Sequence, residues 1–106
     1  MLIRIIDITT NNGNTMTLIR VQVKDGKEPY NQKQGVINPS QVVMYEESNE
    51  LWWATQELYN KDMEKGVCNY EHAKTSTRVF LTSGQVIIVC ESFKSFDRTF
   101  TSMTSR

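Results

Sequence analysis

His72 is the single histidine of the chain, and it follows directly on Tyr70 and Glu71. An imidazole beside a carboxylate is the pairing that general acid–base chemistry near neutral pH uses. Such a pair needs a nucleophile to act on, and no G-x-S-x-G elbow or catalytic cysteine setting accompanies it. The reading that these residues favour is a loop histidine in contact with water. One histidine and two separated cysteines, Cys68 and Cys90, do not reproduce the clustered spacing of a zinc site, and the carboxylates are scattered rather than set in a calcium loop. Gly13, Gly26, Gly35, Gly66 and Gly84 stand singly, so no glycine-rich phosphate cradle exists either. The expectation is a protein with no catalytic residues, no metal and no cofactor.

Binding chemistry is better represented. Trp52 and Trp53 are adjacent, and on a helix neighbours point about 100° apart, so both rings cannot face one core. Either the two spread over a small sheet, or one is left to touch a ligand or a protein. In the last third of the chain the cations Arg78, Lys94 and Arg98 are interleaved with Phe93 and Phe96, which reads as a solvated surface or as a local anion site with aromatic support. Trp52, Trp53, Tyr70, Arg78, Phe93 and Arg98 are the candidate ligand-binding residues.

The elements that must position them belong to one domain, residues 1–106, because two half-size domains would bury too little surface. Twelve basic and twelve acidic residues cancel, which gives no global attraction to a phosphate backbone or an anionic membrane. Extended nucleic acid is therefore not the expected partner. No secretory signal pattern and no span of about 20 apolar residues is present, so the expected setting is a reducing cytoplasm with both thiols free and packed as small apolar residues.

Thr17, Ile19, Val21 and Val23 alternate with Leu18, Arg20, Gln22 and Lys24, the period of a half-buried strand. Leu2 to Ile8 is a second strand, and Asn11-Asn12-Gly13-Asn14 joins the two as an antiparallel hairpin. Lys27 to Gln34 is polar and aperiodic and reads as a surface loop. Extended structure resumes at Val36–Asn38 and again over Gln41–Glu46, with Pro39 holding Asn38 out of the helical region. After Ser48, a candidate cap, Leu51, Ala54, Thr55 and Leu58 share a helical face that Tyr59 and Met63 widen. This spacing predicts one helix over 49–64, stopped by Gly66. Thr77–Thr82 and Gln85–Cys90 flank Ser83-Gly84 as a tight two-residue hairpin, with Val79, Leu81, Val86 or Ile88 facing the core. The tail 99–106 follows a helical turn and ends either as an edge strand or frayed.

Ile37-Asn38-Pro39-Ser40-Gln41-Val42, Glu46-Glu47, the hairpin Arg78-Val-Phe-Leu-Thr-Ser-Gly-Gln-Val-Ile-Ile-Val89 and Glu91-Ser92 together resemble the small bacterial flagellar proteins of the FlbD type. The resemblance lies in the second half of the chain, and the stretch from Ser48 to Ser76 stands where that family has a short connection. It implies a small antiparallel-sheet module and brings no catalytic residues. In architecture the chain is also similar to phage Thoeris anti-defence sponge proteins, which implies sequestration of a nucleotide-type signal in an oligomer.

These readings converge on an α+β fold. Its antiparallel sheet has five or six strands, strongly bent or barrel-like, with one helix packed on it. The expected function is non-catalytic capture of a small nucleotide-like signalling ligand, as in a phage accessory protein acting in the host cytoplasm. Stacking by Trp52 or Tyr70 and charge pairing by Arg78 or Arg98 would hold the ligand. The alternative is a structural or regulatory protein-interaction module of the flagellar type. Self-association, at least to a dimer, is expected because so small a sheet cannot cover both faces and both edges alone.

Overall fold

Strand β2 (Thr15–Lys24) realises its sequence alternation directly: Ile19, Val21 and Val23 are buried while Arg20, Gln22 and Lys24 are only partly covered. The computed structural model describes residues 4–9, 13–65 and 70–104, so Asn11, Asn12, Gly66 and Cys68 lie outside the described residues. β1 (Arg4–Thr9) pairs antiparallel with β2 from Arg4 opposite Arg20 to Thr9 opposite Thr15. β3 (Gln32–Ile37) takes the other edge of β2, from Ile37 opposite Ile19 to Gln32 opposite Lys24. The loop expected over Lys27–Gln34 is therefore shorter, because Gln32, Lys33 and Gln34 are strand residues. Their polarity hides them from a periodicity argument, and it is the open hydrogen-bonding edge of β2 that recruits them.

Asn38 then caps a one-turn 3-10 helix, Pro39–Gln41, by accepting hydrogen bonds from the Ser40 N–H at 3.1 Å and the Ser40 hydroxyl at 2.8 Å. The chain enters β4 (Val42–Trp52), which pairs with β5 (Lys74–Leu81), which in turn pairs with β6 (Val86–Val89). One pairing, Val23 with Val89, and the Cys90 N–H bond to the Gln22 carbonyl at 2.8 Å join β6 to β2. The result is a six-stranded antiparallel sheet of order β1-β2-β6-β5-β4 with β3 beside β2. It is open, since among the described residues β3 and β4 share no ladder, which corrects the barrel-like expectation. The radius of gyration, 15.5 Å, exceeds the roughly 13 Å of a compact chain of this length, in keeping with an open sheet.

Among the described residues there are two α-helices, not one. The helix expected over 49–64 is shortened to α1 (Gln56–Glu64), because Ser48 and Trp52 pair with Ser76 and Lys74 and the strand ladder outcompetes local helical spacing. Ser48 is buried and accepts the N–H of Glu50 at 3.1 Å inside a bulge. The N-cap is Thr55, whose hydroxyl accepts from the Leu58 N–H at 3.2 Å. The tail forms neither an edge strand nor a frayed end up to Thr104: it is α2 (Phe93–Thr104), capped by the Ser92 hydroxyl on the Ser95 N–H at 3.2 Å.

Phe96, Phe100 and Met103 lie on one face of α2 and close the core over Ile19, Val21, Val23, Ile37, Val79 and Val89. Tyr45 locks the helix down, with its ring 5.0 Å from those of both Phe96 and Phe100 and its hydroxyl donating to Asp97 at 2.6 Å. On the opposite face of the sheet Val86 is 47% exposed, so it does not belong to the core as expected; Val89 does.

Candidate functional site

A cleft lies where the end of β3 and the 3-10 turn meet the β5–β6 connection. That connection has three residues rather than two. Leu81 donates its N–H to Gln85 at 2.9 Å, and the Gly84 N–H returns to Leu81 at 2.9 Å with Gly84 at φ +88°, a conformation that glycine adopts without strain. The turn is tied to the 3-10 helix by the Thr82 N–H on the Gln41 carbonyl at 2.8 Å and by the Thr82 hydroxyl on Gln41 Oε1 at 2.5 Å.

The cleft holds about 390 Å³, within the usual range for a small-molecule site. Val36, Ile37, Leu81 and Ile87 give it aliphatic walls, and Lys33, Asn38, Gln41, Ser83 and Gln85 give it a polar rim. The Asn38 and Gln41 side-chain oxygens are engaged by Ser40 and Thr82, which fixes both carboxamides and leaves their N–H groups as the donors to offer. Lys33 is 63% exposed and its contact with Asp25 is long, 3.9 Å, so it is easily redirected to an anion.

The six residues singled out in the sequence do not line this cleft, and the fold brings only two of them together. Trp52 is buried at the end of β4, donates Nε1–H to the Thr75 carbonyl at 2.7 Å and carries Lys74 Nζ 5.3 Å from its ring centre. Trp53, also buried, donates to Asp62 Oδ2 at 2.8 Å and meets the rings of Tyr59 and Tyr70 at 4.9 and 5.7 Å. The pair sits at a strand end rather than on a helix, so the rings fill different buried places. Tyr70 is 37% exposed. Arg78 donates to Glu46 Oε1 at 2.8 Å on the outer face of the sheet, Phe93 packs 5.8 Å from Tyr45, and Arg98 is exposed on α2.

A buried carboxylate, Asp62, is the residue that the sequence reading missed. It accepts from Trp53, from the His72 backbone N–H at 2.9 Å and pairs with His72 Nδ1 at 2.8 Å. Burial by itself would raise its pKa, but the hydrogen bonds from Trp53 and His72 prevail and hold it at about 2. The signal was available: Asp62 follows Leu58 by four residues, on the face that the apolar spacing turned inward. Glu71, the carboxylate first set against His72, instead binds Lys65 at 2.7 Å, which lowers its pKa. Cys90 is buried and unpaired, and burial pushes its thiol up to about 11.

Among the described residues no helix is long and apolar enough to cross a membrane, and no group of three or more histidine, cysteine and carboxylate side chains could hold a metal ion. No protein-family model matches the chain, and no curated protein or solved structure does either.

Proposed function

We propose that the protein works by stoichiometric binding, and that the cleft between β3 and the β5–β6 turn captures a small nucleotide-like ligand. The observation that carries this reading is the composition of the cleft. Aliphatic walls suit the faces of a base, fixed carboxamides suit its edge, and Lys33 stands at the rim for a phosphate. Lysine 33 is the only ionisable side chain among the lining residues, so the cleft itself offers no carboxylate, imidazole or thiol to move a proton or attack a bond. In this reading the protein sequesters its ligand in the cytoplasm, as phage anti-defence sponges do. Calorimetry with a panel of cyclic nucleotides and ADP-ribose derivatives, followed by chromatography of the recovered ligand, tests it. Unchanged ligand at a fixed ratio per subunit supports the reading, and a chemically altered product overturns it.

A second reading, a protein-interaction module of the flagellar type, has its own observation. Among the described residues β4 pairs only with β5, and Val43 and Met44 on it are 64% and 47% exposed. A strand edge with exposed apolar residues is a surface on which a partner's strand can add. Absence of any nucleotide binding together with capture of a partner that Val43→Lys abolishes would favour it.

A further inference from the structure

β6 is apolar at every position, Val86-Ile-Ile-Val89, the pattern of a strand covered on both faces. Among the described residues only one of them is fully covered: Ile87 and Val89 face the core under α2, whereas on the opposite face Val86 is exposed and Ile88 and Phe80 are half-buried. The register shows how far that open face extends. Met44, Phe80 and Val86 lie directly opposite one another across β4, β5 and β6, and Glu46, Arg78 and Ile88 form the next row. Met44 and Val86 are each 47% exposed. An apolar row of this kind, spread across three neighbouring strands, is a contact surface rather than scattered surface residues.

The charges around the row say what fits it. Arg78 is paired with Glu46 at 2.8 Å, and Lys24, on the same face beside Ile88, is paired with Glu50 at 2.5 Å. The charges beside the row are thus balanced, Arg78 by Glu46 and Lys24 by Glu50, while Lys74, further along β5, lies over the Trp52 ring. A phosphate backbone or an anionic lipid would gain two cations and meet two carboxylates. A second copy of the same face, turned by a two-fold axis, sets apolar row on apolar row and brings Arg78 of each chain against Glu46 of the other. The formal charge of the chain is zero, so no net repulsion opposes the approach.

We propose that the outer face of β4, β5 and β6, centred on Met44, Phe80 and Val86, is a two-fold contact with a second copy of this chain, with Arg78 and Glu46 exchanged across it. The proposal does not rest on the cleft, although Lys33 and Gln85 of the cleft also border Val86 and Ile88.

The test is the mass of the full chain by light scattering or sedimentation across a hundredfold concentration range. The wild type should rise towards twice the 12.3 kDa chain mass. Val86→Glu should stay folded and monomeric, and Met44→Glu gives the same reading at the other end of the row should Val86→Glu lower the melting temperature. Arg78→Glu and Glu46→Arg should each weaken self-association about tenfold or more, because each sets like charges across the axis twice. Mixed, the two variants should form a heterodimer, since both cross-pairs are then attractive. A wild type that stays monomeric, a dimer that survives Val86→Glu, or a charge-swapped mixture that stays monomeric overturns the proposal.

Discussion

His72 presents its ring Nδ1 to Oδ1 of Asp62 at 2.8 Å and gives its backbone N–H to Oδ2 of the same carboxylate at 2.9 Å. Trp53 supplies a third bond to that carboxylate, so one buried aspartate ties α1, the end of β4 and the segment before β5 together. The cluster therefore acts first on stability.

Its pH dependence follows from the sign of the shift. The Asp62 carboxyl is held at about 2, below its usual value of about 3.9, so its stabilisation is fully present above that usual value and is lost as pH falls from about 4 towards 2. Asp62→Asn should melt below the wild type at pH 7, and the gap between the two should close as the pH is lowered to 2. A constant gap in thermal melts across that range would contradict the assignment.

Tyr45 gives the opposite sign. Burial first, then the hydrogen bond to Asp97 and its charge, push the phenol up to about 12. Its contribution is present below the usual value of about 10 and is lost as pH rises from 10 to 12. Tyr45→Phe keeps the ring contacts with Phe93, Phe96 and Phe100 and removes only the hydroxyl, at a cost of about 1 kcal/mol. Ultraviolet titration of the folded protein should lose its step near pH 12 in this variant.

Two substitutions separate the true core from the one read in the sequence. Phe96 is fully buried against the sheet, and Phe96→Ala should cost about 3–5 kcal/mol by leaving a cavity. Val86→Asp, which would unfold the domain if Val86 faced the core, should change stability by only about 0.5 kcal/mol. Denaturant unfolding of both variants, at protein concentrations low enough to exclude self-association, checks the pair.

Much of this fold was legible where one face is buried and the other is wet. The alternation in β2 and the hairpin of β5 and β6 needed no tertiary information. What failed was decided by partners distant in sequence. Ser48 to Trp52 carries helical spacing but lies beside β5, and Gln32 to Gln34 carries no spacing but lies beside β2. On β6, where both faces are apolar, alternation cannot say which side is the core, and Val86 was assigned to the wrong one. The cleft was invisible because Lys33, Asn38, Gln41 and Gln85 are ordinary polar residues until the fold gathers them.

Cys90 should be inert in the folded chain. Burial raises its thiol to about 11, which leaves little thiolate at neutral pH. In a Cys68→Ser background a thiol reagent at pH 8 should react only after denaturant is added; prompt labelling of the native protein would contradict the buried placement.

The central claim is that a nucleotide-like ligand sits in the cleft beside β3. Calorimetric titration of the tightest-binding member of the nucleotide panel into wild type, Lys33→Ala, Arg78→Ala and Arg98→Ala tests it most directly. Loss of a charged hydrogen bond costs about 1.5–3 kcal/mol, so Lys33→Ala should weaken binding about 10- to 150-fold, while both arginine variants should stay close to wild type. Unchanged affinity in Lys33→Ala with a loss in either arginine variant, or no nucleotide binding by the wild type, would contradict the account.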